Sequence, residues 1–146
     1  MADSSRMSDA ILLDTHAAIW FMTGTLRQNA CELLADAAIE TGIYISPIIA
    51  WEVGQLTNSE VKSAVVGLSI SATEWLASLL RNRGFRECVF DARIALASTA
   101  LPGNFHRDPA DRFLVATARA LDCALMTRDR KILAYADQGH VKAIPC

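Results

Sequence analysis

The 146-residue chain is 52% hydrophobic and balances 14 basic against 16 acidic residues, for a net charge of −2. That suits one well-buried core and is too short for two ordinary domains, and near-neutrality speaks against a protein that coats nucleic acid. No stretch approaches the roughly 18 to 20 apolar residues of a membrane helix, and the polar first ten residues lack the apolar run of a signal peptide, so a soluble, cytoplasmic protein is expected.

A flexible N-terminal extension is expected over 1–9, with Met7 as an alternative start, and a single domain over 10–146. Ile11-Leu12-Leu13 reads as a buried strand, followed by a short helix through Ala17 to Phe21. A longer helix places Leu26, Ala30, Leu33, Leu34, Ala37 and Ala38 at helical spacing. Ile43-Tyr44-Ile45 is a second strand, after which Ser46 caps a helix whose first residue is Pro47. Residues Ser59 to Ser71 fit either a short helix or irregular structure. Thr73 is then expected to cap a helix carrying Trp75, Leu76, Leu79 and Leu80 that stops at Gly84.

Cys88-Val89-Phe90 is a strand candidate, and Asp91 opens a helix through Ile94, Leu96 and Ala97 towards Pro102-Gly103. Asp108-Pro109-Ala110-Asp111 starts another, with Phe113, Leu114, Val115, Ala118 and Leu121 turned inward. Ala124-Leu125-Met126 is a strand, Arg130 to Ala136 a helix, and Val141 to Ile144 a last strand. Short apolar strands alternating with helices indicate an α/β domain, a mostly parallel sheet covered on both faces. In such sheets ligands bind beyond the carboxyl ends of the strands.

Cys31, Cys88, Cys123 and Cys146 are scattered without a Cys-x-x-Cys pair, so they read as small core hydrophobes in a reduced compartment, not as disulfides or a zinc site. The charge is unevenly spread, −6 over residues 1–60 and +4 over 61–146. Arg107, Arg112, Arg119, Arg128, Arg130 and Lys131 cluster in sequence near Asp111 and Asp129, where they could steer a phosphate-rich substrate or simply solvate helix surfaces. Trp20, Trp51 and Trp75 fall on apolar helical stripes and read as core or interface anchors. His16, His106 and His140 form no catalytic pattern, although His16 could line a cleft beside Asp14.

Asp14, Glu52, Asp111 and Asp129 all fall near strand ends or in the helices that follow. Asp14, Asp111 and Asp129 could each serve as a helix cap or dipole partner, and Glu52 could lie on an exposed stripe. Converging in one cleft, the four would repel unless a cation neutralised them. A hard divalent metal takes oxygen ligands of this kind, and phosphoryl transfer is the chemistry such a site serves. Thr15 and Thr127 could support the acids by hydrogen bonding. Arg112 could meet a substrate phosphate, fix a neighbouring acid or form a structural salt bridge.

Leu12-Leu13-Asp14-Thr15-His16-Ala17, Ile45-Ser46-Pro47 running to Trp51-Glu52, Leu101-Pro102-Gly103 leading into His106-Arg107-Asp108-Pro109-Ala110-Asp111-Arg112, and Met126-Thr127-Arg128-Asp129 together resemble the PIN-domain family. Within it the nearest likeness is to VapC-type toxins of prokaryotic toxin–antitoxin pairs. The resemblance implies a three-layer α/β/α fold with four to five strands. It also implies a Mg²⁺- or Mn²⁺-dependent endoribonuclease, inhibited by a cognate antitoxin and usually a homodimer. Asp14, Glu52, Asp111 and Asp129 match the family's catalytic, metal-binding quartet. Asp108 is an additional acid, which either touches metal or, as Pro109 favours, organises the turn. Two other readings are a catalytically silent protein-binding module and a metal-dependent nuclease of structured DNA.

Overall fold

The computed structural model describes residues 9–58 and 70–146. The expected extension up to Ser8, the alternative start at Met7 and most of the uncertain Ser59–Ser71 stretch lie outside the described residues. Five strands, β1 (Ile11–Leu13), β2 (Ile43–Ile45), β3 (Phe85–Glu87), β4 (Ala124–Thr127) and β5 (Lys142–Pro145), form one sheet in the order β3-β2-β1-β4-β5. Every pairing is parallel, with Ile11 opposite both Ile43 and Ala124. Seven α-helices are described: α1 (Thr15–Thr23), α2 (Gln28–Glu40), α3 (Pro47–Leu56), α4 (Ala72–Leu80), α5 (Ala92–Ala97), α6 (Pro109–Leu121) and α7 (Arg130–Asp137).

All residues of β1 and β4 are buried. Side chains alternate between the two faces of a strand, so both faces of the sheet are covered, as continuous apolar runs in a parallel sheet require. β3 and β5 are the edges, and their exposed Arg86, Glu87, Lys142 and Pro145 discourage pairing with another chain. No helix among the described residues is long and apolar enough to cross a membrane.

Local chemistry sets the helix starts. Ser46 Oγ accepts from Ile48 N at 3.1 Å with Pro47 in the first turn, a cap of a kind that contributes about 1 kcal/mol. Ser71, not Thr73, caps α4: its Oγ accepts from Glu74 N at 3.1 Å and donates to the Glu74 carboxylate at 3.3 Å. This side-chain cap puts the helix start two residues earlier than expected.

The strand expected at Cys88–Phe90 lies instead at Phe85–Glu87. Its charged residues are tolerated because it is an edge, whereas Val89 is 61% exposed. α5 stops at Ala97 and tightens into a 3-10 turn over Ser98–Ala100. Leu33 and Leu96, placed on apolar stripes by spacing, are exposed. Trp75 is buried and Trp51 is 59% exposed. All four cysteines are free, and three are core residues while Cys31 is exposed. Burial pushes the thiols of Cys88, Cys123 and Cys146 up to about 11, about 12 and about 11, which keeps them inert. Gly84, at φ +82°, is required where it stands, since a Cβ there would come within 2.4 Å of the Ala38 carbonyl oxygen.

Candidate active site

The strand order reverses between β1 and β4: from β1 the chain moves outward through β2 and β3, then returns to the other side of β1 with β4. Such a switch point opens a crevice at the carboxyl ends of the strands. Asp14 follows β1 directly and Asp129 lies two residues beyond β4. Helices between parallel strands run back against them, so the first turn of α6, with Asp111, reaches the same edge. The result is a cavity of about 440 Å³ lined by Asp14, Glu52, Asp108, Asp111 and Asp129 together with Thr15, His16, Trp20, Leu114 and Arg128.

The capping role and the site role coincide. Asp14 Oδ1 caps α1 by accepting from Ala17 N at 2.8 Å, while its Oδ2 accepts from the Thr127 hydroxyl. Thr127 Oγ in turn accepts from Asp129 N at 3.0 Å, so one buried hydroxyl ties the acid after β1 to the acid after β4. Asp129 Oδ1 caps α7 through Lys131 N and Ile132 N at 2.8 and 3.1 Å. No described protein group donates to its other oxygen. Thr15 donates to Glu52 Oε1, linking α1 to α3. Asp108 Oδ1 caps α6 at 3.3 Å from Asp111 N. It therefore organises the turn and also lines the cavity.

The electrostatics show a cluster without enough compensation. Asp14 is raised chiefly by burial, against the hydrogen bonds from Thr127 and Ala17. Glu52 is raised chiefly by burial, partly offset by Thr15. Asp111 is raised to about 7, first by burial and then by the charges of Asp108, Asp129, Glu52 and Asp14. These are the shifts that like charges in a partly dry cleft must produce. Among the described residues, however, no three His, Cys, Asp or Glu side chains close around a point as a finished metal cage.

Four further residues shape the cleft. His106 Nδ1 accepts from Asp108 N at 3.3 Å, so in the neutral ring the proton is on Nε2. That atom lies 3.2 Å from Asp111 Oδ2, though out of line for a hydrogen bond. Trp20, expected in the core or an interface, is half-buried and lines the acid cavity with His16. Spacing held the signal: His16 and Trp20 are four apart on α1, immediately after Asp14. Arg128 stands over the Trp20 ring, 3.8 Å from its centroid.

Arg112 points elsewhere, donating to the carbonyls of Ser98, Phe105 and His106 at 2.8, 3.0 and 3.1 Å. Its guanidinium fastens the loop ahead of α6 and pairs with no described acid. Neither Arg107 nor Arg119 lines the acid cavity.

The family model for the PIN domain matches residues 11–138. The chain belongs to the PIN-domain family. This PIN domain is 30% identical over 127 residues to Ribonuclease VapC22 of Mycobacterium tuberculosis, covering 86% of this chain and 91% of that one. Among solved structures it is similar to VapBC2 from Rickettsia felis bound to a DNA fragment from its promoter, with a TM-score of 0.65 and 17% identity over 93% of this chain and 98% of that one. A toxin–antitoxin complex from Klebsiella pneumoniae matches with a TM-score of 0.57 and 24% identity over 86% and 91% of the two chains. At these identities the structural likeness speaks to the fold, and the parallel five-stranded α/β/α arrangement of this PIN domain agrees with it.

Proposed function

We propose that this PIN domain is a Mg²⁺- or Mn²⁺-dependent endoribonuclease, the toxin of a toxin–antitoxin pair. The observation that carries the reading is the convergence of Asp14, Glu52, Asp111 and Asp129, with Asp108, at the switch point of the sheet. Similarity to a mycobacterial ribonuclease supports RNA as substrate. The toxin–antitoxin complexes among its structural relatives support an antitoxin partner. A second copy of the chain is the other proposed partner, and Ile39, Trp51, Val89 and Leu96 offer exposed apolar surface to such contacts.

The donor set fits a hard cation: it is all carboxylate oxygen, and Asp14, Glu52 and Asp111, each raised first by burial, are acids whose charged form a bound cation would favour. An open set suits an ion that keeps several waters, as Mg²⁺ does. Asp14, Glu52, Asp111 and Asp129 would hold it. When bound, it supplies a Lewis acid that lowers the pKa of water and stabilises charge on the phosphate oxygens.

The chain's own groups set the geometry. Thr127 and Thr15 orient Asp14 and Glu52 by hydrogen bonds, and the α7 cap fixes Asp129 with one oxygen left over. Restricting rotamers in this way lowers the entropy cost of assembling the reactive arrangement. In the reaction the water oxygen bonds to phosphorus as one phosphodiester P–O bond breaks, and a proton given up by the water reaches the leaving oxygen through solvent.

The test is RNA cleavage by purified, antitoxin-free protein in Mg²⁺ or Mn²⁺ and in chelator, with RNA ends sequenced after induced expression. Wild type is expected to cut only with metal, and a folded Asp14→Asn/Asp129→Asn chain not at all. Metal-dependent cutting by the double variant overturns the assigned site. Tight partner binding with no cutting in either metal identifies a silent binding module, and preference for duplex DNA identifies a different nuclease.

A further inference from the structure

The acids separate two cavities that share Asp108, Asp111 and Asp129. On one side, about 440 Å³ of space is walled by His16, Trp20 and Arg128. On the other, about 400 Å³ is walled by His106, Arg130 and Lys131. Arg128 is the one Lys or Arg among the residues lining the first cavity, which five carboxylates also line. Among the described residues, a polyanion entering that cavity meets no other lysine or arginine on its walls.

Arg128 is also held in place over the Trp20 ring. Its guanidinium carbon lies 3.8 Å from the centre of the Trp20 ring, and its Nε donates to the Cys146 carbonyl at 2.9 Å. No described protein group accepts from its two terminal nitrogens, and the residue is exposed. A stacked, tethered guanidinium presents a rigid cationic plane, with its ordering cost already met in the free protein. Unpaired bases of single-stranded RNA are held on aromatic or guanidinium planes of this kind. Fixed cations flanking the acids would then carry the phosphates.

We propose that Trp20 and Arg128 form a nucleobase subsite, in which the outer face of the guanidinium stacks against the unpaired base beside the scissile phosphate. Across the acids, Arg130 and Lys131 take the neighbouring backbone. This rests on the ribonuclease reading and gives it a substrate form: single-stranded RNA laid across the acids, with one base read by stacking.

The experiment uses the Asp14→Asn/Asp129→Asn chain, checked for folding by circular dichroism, so that binding is measured without cleavage. Fluorescence anisotropy follows a labelled single-stranded oligoribonucleotide and a series in which one base at a time is removed. At one position, loss of the base is expected to weaken binding roughly tenfold. Arg128→Lys keeps the charge and loses the plane, so it should abolish that preference while leaving the salt dependence alone. Trp20→Phe should retain it in part. Arg130→Ala/Lys131→Ala should lower the salt slope by about one to two phosphate contacts and keep the base preference.

The proposal is overturned if no position shows a base preference, or if Arg128→Lys and Trp20→Phe both leave it untouched. Failure of the parent reading looks different. A wild-type chain that cuts no RNA, yet shows an Arg128-dependent base preference, loses the ribonuclease assignment and keeps the subsite.

Discussion

The two edges of the sheet repeat one pattern with opposite outcomes. β1 has Asp9 before it and Asp14 after it; β4 has Asp122 before it and Asp129 after it. At the amino edge, Lys142 reaches both acids, at 3.0 Å from Asp9 and 3.0 Å from Asp122. At the carboxyl edge no lysine or arginine pairs with Asp14 or Asp129 among the described residues, and Glu52, Asp108 and Asp111 add to the negative charge. The larger cavity, about 870 Å³, lies at the amino edge among Asp9, Asp122, Lys142 and the starts of β1, β4 and β5. Size alone therefore points away from the acids. Uncompensated charge at a strand-order reversal is the better marker of function.

The sharpest way to break this contrast is through Thr127, fully buried at the end of β4. Thr127→Val preserves shape and removes the hydroxyl that donates to Asp14 and receives Asp129 N. Loss of such an orienting partner costs roughly 10- to 100-fold in activity or metal affinity. RNA cleavage should fall by that factor, with recovery in Thr127→Ser. Asp9→Asn, at the amino edge, should leave cleavage at the wild-type rate. Equal rates for Thr127→Val and wild type would remove the hydroxyl from the catalytic account.

How much of this was legible beforehand follows from which signals are local. The strands Ile11–Leu13 and Ile43–Ile45 and the caps Asp14, Ser46 and Asp108 are short-range signals, and they are where spacing placed them. β3 was misplaced by three residues because an edge strand need not be apolar, and its pairing with β2 is written in no local pattern. The four acids were nameable from strand ends and family motifs, yet their mutual approach depends on the order β2-β1-β4, which local sequence does not encode. Trp20 escaped because its stripe is apolar on both counts, core and cleft. Arg112 misled because its neighbours in sequence are acids and its partners in space are carbonyls.

A second test compares stability against pH. Asp111 is raised from 3.8 to about 7 by burial and by the four acids around it. Its folded value exceeds its unfolded one, so between about pH 4 and 7 the folded state binds more protons, and stability falls as pH rises through that window. In metal-free buffer at pH 7.5, Asp111→Asn should therefore raise the melting temperature by about 2 to 4 °C while eliminating cleavage. Mg²⁺ or Mn²⁺ should raise wild type in the same assay and have little effect on this variant. A lower melting temperature for metal-free Asp111→Asn would mean that the acid is a structural partner after all.

The smallest effect is expected at the amino edge, and its direction with pH differs. Lys142 is raised above 10.5, first by the hydrogen bond to Asp9 and then, against some desolvation, by Asp122. A cation raised by its partners contributes stability that is fully present below its unfolded value and is lost only as pH rises through the folded one. The pair should thus be constant across neutral pH, where the carboxyl edge is changing. Lys142, Asp9 and Asp122 are all exposed to solvent, so screening limits the gain to roughly 0.2–1 kcal/mol. Lys142→Met should lower the melting temperature slightly at low salt, less at high salt, and leave RNA cleavage unchanged. A loss of cleavage in a folded Lys142→Met chain would show that the two edges are coupled, and that compensation at one is part of how the other is held open.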